Sequence, residues 1–330
     1  MSLSRRQFVV ASSAAAVGAV VGVVRPAWGD LPRDGVIKLG VITDVHQDIM
    51  HDGVERIGKF VAAMDEWRPQ AVLQLGDFCV PHARNEKFLA EWNRFAGPKR
   101  HVLGNHDMDG GVKREKTVEF YGMPARYYSV DQDGVHLVVL DGNDPEPGKK
   151  GYPAFVAADQ RKWLADDLAA TKLPTVVCIH QPLDGYNKGV SNAAQVRAVL
   201  ADANKQAGCA KILAVLSGHC HLDYVHVTDD IPHLQINSAS YVWTEVKHKT
   251  YDDALVKKHP YLAQVCPYAQ PLWAGLTIDF AKGELALAGR ESVWVGGDPW
   301  QIGIKEDAYQ RSRELSRPAI SDRVVRFWTA

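Results

Sequence analysis

Five short blocks of this chain carry side chains able to hold cations. Asp44-Val45-His46 follows a first apolar run, Gly76-Asp77 a second, and Gly104-Asn105-His106-Asp107 a third, while His180 ends a fourth and Gly218-His219-Cys220-His221 a fifth. Each block alone has an ordinary explanation, because an Asp or Asn after a strand commonly makes a turn or helix cap and a single His is commonly a hydrogen-bonded surface group. Recurrence at five strand ends changes the weight, since ligands of open α/β sheets gather beyond the carboxyl ends of the strands. In extended backbone residues i and i+2 face one side, so Asp44 with His46, and His219 with His221, are expected to converge as pairs. Carboxylate, imidazole and carboxamide donors without a thiolate suit Mn, Fe, Co or Zn in a site open to water rather than a closed structural zinc site.

Strands must place these blocks. Buried strands are expected over 36–43, 70–75, 100–103, 136–140, 175–179 and 211–216, with helices between them. Val54, Ile57, Val61 and Met64 recur at helical spacing, as do Phe88, Trp92 and Phe95. Trp163, Leu164 and Leu168 mark a third helix, and Val196, Val199, Leu200 and Ala203 a fourth with Ser191 as its cap. After His221 the period shortens to two, as at Leu234 and Ile236 and at Leu276, Ile278 and Phe280, with Lys282-Gly283 as a hairpin turn. The expectation is an α/β fold of two sheets with helices outside, the second sheet mostly antiparallel and built from the residues after His221. No Pro/Gly/Ser-rich linker divides the chain, so one domain is expected over 30–290.

The five blocks, in this order, resemble the calcineurin-like metallophosphoesterase superfamily over roughly 36–289. The resemblance implies a two-sheet β-sandwich flanked by helices (αββα). It also implies that Asp44, His46, Asp77 and His221 hold one metal and that Asp77, Asn105, His180 and His219 hold a second, Asp77 bridging. His106 is then free to contact the phosphoryl group or the leaving oxygen, and Asp107 is expected to orient its ring through the other nitrogen. The expected reaction is attack on phosphorus by a hydroxide held between the metals, with His106 donating a proton or hydrogen bond to the leaving alkoxide. Purple acid phosphatases place a Tyr three residues after the Asp of the second block, where this chain has Val80, and lack a His in the first block. Asp44-Val45-His46 is more similar to the class III cyclic nucleotide phosphodiesterase and glycerophosphodiesterase branch. A small phosphodiester is therefore expected ahead of a monoester or a pyrophosphate.

Substrate choice falls outside the five blocks. The stretch 244–271 carries Lys247, His248, Lys249, Tyr251, Lys257, Lys258, His259, Tyr261 and Tyr268, and either caps the site or is a solvated excursion or dimer contact. Gln47, Asp48, His51 and His82 are candidates for the rim. Cys220 is expected to pack away from its neighbouring ligands, and Cys79, Cys178, Cys209 and Cys266, with no CxxC spacing, to be small buried residues. Trp294, Trp300 and Trp328 imply that 291–330 packs onto the body.

Composition sets the outer limits. The 330 residues are 46% hydrophobic and 23% charged, which excludes a disordered or collagen-like chain. Lys+Arg 38 against Asp+Glu 39 shows no basic surplus, so no nucleic-acid partner is expected. There is no GxGxxG, no P-loop and no GxSxG elbow. A non-catalytic scaffold of the same fold would be expected to have lost donors, and all of them are present.

Residues 1–29 stand apart. Ser4-Arg5-Arg6-Gln7-Phe8-Val9 resembles the twin-arginine export pattern, ahead of a weakly apolar run over 8–24, Arg25 and a small-residue exit at Ala27-Trp28-Gly29. Removing them takes away Arg5, Arg6 and Arg25 and no acid, so the net charge of −1 moves by three to −4. The alternative is an uncleaved anchor, because the run sits at the lower length limit of a membrane span. The pattern implies a periplasmic or extracellular protein without stable membrane insertion, exported folded and therefore able to carry a metal loaded beforehand. N-terminal sequencing of the exported protein is expected to start at Asp30; a start at Met1 or Ser2 would mean the segment is retained.

Overall fold

The computed structural model describes residues 35–327 apart from 187, 245 and 307–311, so the expected export segment and Trp328 lie outside the described residues. The first half builds two rows of parallel strands. In one, β1 (Val36–Ile42), β2 (Ala71–Gln74) and β3 (Lys99–His101) pair in parallel, joined by helices α1 (Gly53–Trp67) and α2 (Glu86–Asn93). A third helix, α3 (Arg114–Tyr121), and the hairpin of β4 (Tyr128–Gln132) and β5 (Val135–Val139) lead into the second row. There β5 continues in parallel to β6 (Thr175–Cys178) and β7 (Ile212–Ser217) through α4 (Ala158–Ala170) and α5 (Ala193–Ala207).

Alternation along each strand assigns its residues to two cores. Leu39, Val41 and Leu73 of one row face Leu137, Val139, Val176 and Leu216 of the other across the space between the sheets. Their neighbours Ile42 and Val72 point outward to Ile57, Phe60 and Met64 of α1 and Trp92 of α2. On the opposite outer face, Val177 and Val215 meet Leu164 and Leu168 of α4 and Val196 and Leu200 of α5. Helix α1 ends where Arg68 turns left-handed at φ 56° and returns its N–H to the Met64 carbonyl, which aims the chain back into β2.

The expected separate sheet after His221 does not form. Strands β8 (Tyr224–Thr228) and β9 (Ile231–Gln235) join the second row, giving the order β4-β5-β6-β7-β9-β8. A short pair, β10 (Tyr241–Trp243) with β11 (Val265–Pro267), encloses α6 (Asp253–Lys258). Next, β12 (Ala274–Asp279) and β13 (Glu284–Ala288) return to the first row beside β1, hairpinned through Gly283 at φ 67°. The later strands pair with the exposed sides of β1 and β7, where unpaired N–H and C=O groups would otherwise lie, and leave β3, β4, β8 and the C-terminal strand Arg323–Arg326 as the outer strands. Period two reported the strands correctly and carried no information about which edge each would pair with.

The C-terminal segment belongs to the same body. A two-residue pair, β14 (Arg290–Glu291) with β15 (Ala319–Ile320), precedes β16 (Arg323–Arg326), which pairs with β13 and completes the order β16-β13-β12-β1-β2-β3. Asp223, almost fully buried, accepts from the Ser321 N–H at 3.0 Å and from Arg323 Nη2 at 2.8 Å. Trp294 packs its ring 5.2 Å from Tyr268. Ser191 is not the cap of α5: the cap position is Asn192, whose side chain instead exchanges hydrogen bonds with Val156. Among the described residues no helix is long and apolar enough to cross a membrane.

One buried histidine makes this packing sensitive to acid. Trp92 Nε1–H donates to His101 Nε2 at 3.0 Å, and burial, with the nearby Lys99 charge adding to it, holds His101 down from 6.5 to about 3. An unfolded chain takes up that proton below about 6.5, whereas the folded one does not until about 3, so the contribution is complete above 6.5 and is lost as pH falls. His101 alone is expected to remove about 1.4 kcal/mol of stability per pH unit between 6 and 4. Urea unfolding of the wild type and His101→Gln at pH 7.5 and 5.5 checks this: the variant should show the shallower pH dependence, and equal slopes would contradict it.

Candidate metal centre

Past the last residue of β1 the chain does not stay extended. Asp44 and His46 each take φ 51°, Asp77 takes φ 51° just after β2, and beyond β7 His219 and His221 take φ 72° and φ 52°. Asp44 and His46 do converge, with Nε2 of the His 3.8 Å from Oδ1 of the Asp, but through left-handed backbone rather than an extended strand, whereas His219 and His221 enter different donor groups. Left-handed residues of this kind cost of order 1–3 kcal/mol each and persist only where their surroundings over-determine them. Here the surroundings are other loops. Asp44, His46 and Gln47 donate their N–H groups to the carbonyls of Gly76, Asp77 and Phe78 at 3.0, 2.9 and 3.1 Å, which zips the first two blocks together. Ser238 and Ser240 hydroxyls donate to the Asp44 and Val45 carbonyls at 2.9 and 2.8 Å from beyond β9. The fifth block is tied in by His219 N–H, 3.0 Å from Asp44 Oδ2. At Gly104 an added Cβ would overlap the Asp77 backbone nitrogen, so only glycine fits there.

The donors form two groups whose atoms lie within 4.8 Å of one another: Asp44, His46 and His221, and Asp77, His180 and His219. Asp77 Oδ2 touches both, 3.5 Å from His46 Nε2 and 3.2 Å from His180 Nε2. Six of the seven side chains assigned to metal in the sequence are thus brought to one place, and Asn105, next in sequence to His106, is buried with its Oδ1 unpartnered.

Hydrogen bonding tests whether they suit cations. His180 Nδ1–H donates to the Leu75 carbonyl at 2.7 Å and His221 Nδ1–H to the Tyr241 carbonyl at 2.7 Å. In the neutral rings each Nε2 is therefore a bare lone pair, yet His180 Nε2 faces the Asp77 carboxylate and His221 Nε2 faces Asp44 Oδ1 at 3.2 Å. Acceptor against acceptor repels unless a cation or a proton stands between them. Anchoring Nδ1 on a carbonyl is also how metal-ligating histidines are oriented. The donor set and its geometry fit two borderline divalent ions. Burial alone would raise Asp44, but His221 and His180 outweigh it and hold the carboxyl at about 2. Burial drives His46 and His219 down to about 3, the neutral form that a ligand needs.

His106 lies at the edge of this cluster. Its N–H donates to Asp77 Oδ1 at 2.8 Å, its ring centroid is 5.2 Å from that of His46, and its Nδ1 bonds Asp109 Oδ2 at 2.7 Å. The group that orients the ring is therefore Asp109, not Asp107. Asp107 points inward and accepts the N–H groups of Phe78, Cys79 and Gly104 at 2.6, 3.1 and 2.8 Å, bracing the loops that carry Asp77 and Asn105. Burial and the Asp77 charge push it up to about 7. Burial opposes the charged form of His106, but Asp77 and Asp109 outweigh it and raise the ring to about 9.

Around the opening, Tyr152 donates its hydroxyl to Asp109 Oδ1 at 2.8 Å with its ring 5.3 Å from His106, and Trp243 lies 6.1 Å away on another side. Asp109 was within reach of sequence reasoning, being one helical turn beyond His106. Nothing local points to Tyr152 or Trp243. Of the expected rim residues, Asp48 is occupied by the Val80 N–H, Arg84 and Asn85, and His82 caps a short turn by accepting the Arg84 N–H. Gln47 Oε1 is buried without a partner, and His51 packs against Tyr251 at 5.0 Å. Within 244–271, Leu262 and Val265 pack on Ile49 and Met50, which docks that stretch next to the first block. Cys79, Cys178, Cys209 and Cys266 are buried, and burial raises the Cys220 thiol.

Comparison with known proteins agrees with this construction. The profile of the calcineurin-like phosphoesterases matches residues 37–223, more than half of the chain, and the chain belongs to that family. Among solved structures it is similar to a dimetal phosphatase from Danio rerio, with 15% identity over 79% of this chain and 99% of that one and a TM-score of 0.55. It is also similar to GAP50, the anchor in the inner membrane complex of Plasmodium, with 14% identity over 79% and 85% of the two chains and a TM-score of 0.50. No curated protein matches the chain at a significant level.

The shared carboxylate can be tested by elemental analysis. The purified chain is expected to take up two equivalents of metal, one for each donor group. Asp77→Asn, and Gly104→Ala, whose added methyl displaces Asp77, are each expected to lose at least one equivalent while far-ultraviolet circular dichroism stays unchanged. Full uptake by Asp77→Asn would show that the carboxylate is not shared.

Proposed function

We propose that this chain is a dinuclear-metal phosphoesterase that cleaves a small phosphodiester and acts after twin-arginine export, in the periplasm or outside the cell. The observation that carries the reading is the pair of donor groups, Asp44, His46 and His221 and Asp77, His180 and His219, with the Asp77 carboxylate touching both. When bound, the two ions supply an acidified water and positive charge for the phosphoryl oxygens. The chain's own residues do the rest. Asp44, His46 and His221 on one side and Asn105, His180 and His219 on the other fix where phosphorus sits, with Asp77 between. His106 has its Nδ1 committed to Asp109, which leaves Nε2 to face the substrate and pass a proton or hydrogen bond to the departing oxygen.

The likeness to a dimetal phosphatase supports catalysis, and the likeness to an anchor protein marks the alternative of a scaffold with this fold. A scaffold has no need of donors whose lone pairs confront one another inside the protein, because each confrontation costs stability when nothing stands between. The lean to a diester rests on His46 in the first block and on Val80 where a purple acid phosphatase carries Tyr. Metal-loaded protein is expected to hydrolyse bis-p-nitrophenyl phosphate, and a monoester-only activity would overturn the diester part. His106→Ala should lower kcat by roughly 10²–10⁴ for a diester with an alkyl leaving group and far less for a p-nitrophenyl one. Equal losses on both would remove His106 from the departing oxygen.

A further inference from the structure

Beside the metal donors lies a cavity of about 360 Å³, lined by Asn105, Met108, Asp109, Val112, Tyr152 and Pro153 among others. Its size falls within the roughly 300–1,000 Å³ of small-molecule sites, and Lys113, Arg114, Glu115 and Asn143 make the rest of its wall polar and charged. Two of its residues adjoin the site already described: Asn105, next to His106 and with its buried Oδ1 unpartnered, and Asp109, which holds His106. A molecule with phosphorus at the metal donors therefore has a substituent directed into this space.

Tyr152 decides what that substituent is. Its side chain is 62% exposed, and Tyr261 is the other strongly exposed aromatic among the described residues. Yet Tyr152 is held at both ends, by its hydroxyl on Asp109 and by its ring against His106 at 5.3 Å. An exposed ring held in place is a stacking surface that needs little further ordering on binding. The Met108 thioether and Pro153 on the same wall also pack well against a flat ring.

Resting on the phosphoesterase reading, we infer that the cavity seats a flat, ring-bearing organic substituent of the substrate, aryl or nucleoside in class, against Tyr152. Tyr152 is then a specificity-determining residue, and through Asp109 it also steadies His106. Because Asp109 uses separate oxygens for His106 and Tyr152, losing the Tyr152 hydroxyl leaves the His106 bond in place.

Isothermal titration of Mn²⁺-loaded protein with phenylphosphonate and methylphosphonate tests this without turnover, since neither carbon–phosphorus bond is hydrolysed. The wild type should bind the phenyl compound about tenfold more tightly. Tyr152→Phe should keep that ratio, and Tyr152→Ala and Tyr152→Leu should bring it within about twofold. Equal affinities in the wild type, or a preference that survives in Tyr152→Ala, would overturn the inference. If equal binding accompanies hydrolysis of bis-p-nitrophenyl phosphate, only the ring site fails. If neither phosphonate binds and nothing is hydrolysed, the phosphoesterase reading fails with it.

Discussion

The Asp77 carboxylate stands 3.2 Å from Nε2 of His180 and 3.5 Å from Nε2 of His46, in a space from which water is almost wholly excluded. Two acceptors repel unless a cation or a proton stands between them: burial opposes the charged form of His180, but Asp77 and Asp44 outweigh it and raise the ring to about 9, so positive charge belongs in this gap. The arrangement makes sense as a receptacle for positive charge, and much of the rest follows from the need to hold it open. His180 and His221 cannot rotate their bare nitrogens away, because their other nitrogens are anchored on Leu75 and Tyr241. Asp107, fully buried, ties the second block to the third so that Asp77 stays between the two groups.

Holding donors against repulsion requires strain elsewhere. Left-handed backbone at Asp44, His46, Asp77, His219 and His221 is unfavourable locally and is maintained by hydrogen bonds that run between loops rather than within them. Those loops leave parallel strands of both sheets, so the inter-sheet core sets their spacing. The segments after β7 add to the same support. Ser238 and Ser240 hold the first block from behind, while Asp223, two residues past His221, is clasped by Ser321 and Arg323. The C-terminal strand is thus linked to the fifth block by a buried ion pair as well as by its place in the first sheet. At the open side, Asp109 couples the His106 imidazole to the exposed ring of Tyr152.

Much of this was legible beforehand for an identifiable reason. Strand and helix periods are local properties, and the helices over Val54 to Met64 and Phe88 to Trp92 and the six early strands stand close to where the spacing places them. Donor types are equally local, so Asp44, His46, Asp77, Asn105, His180, His219 and His221 can be picked out in one dimension. Asp107 misled because adjacency in sequence says little about which way a side chain points on a tight turn. Asp109, one turn further on, has the required direction. The strands after His221 misled because alternation reports a half-buried strand and says nothing of its neighbour.

By itself, then, the sequence determined the element types, the chemistry of the donors and the family to which they belong, all properties carried by short windows of residues. Only the tertiary structure decided that Asp77 faces both groups, that Asp109 rather than Asp107 holds His106, that Tyr152 from a distant loop walls the adjoining cavity, and that later strands extend one side of each sheet. Each of those depends on loops that approach in space after long stretches of chain. Their approach is set by packing between sheets and by hydrogen bonds across blocks, neither of which leaves a mark in the local order of residues.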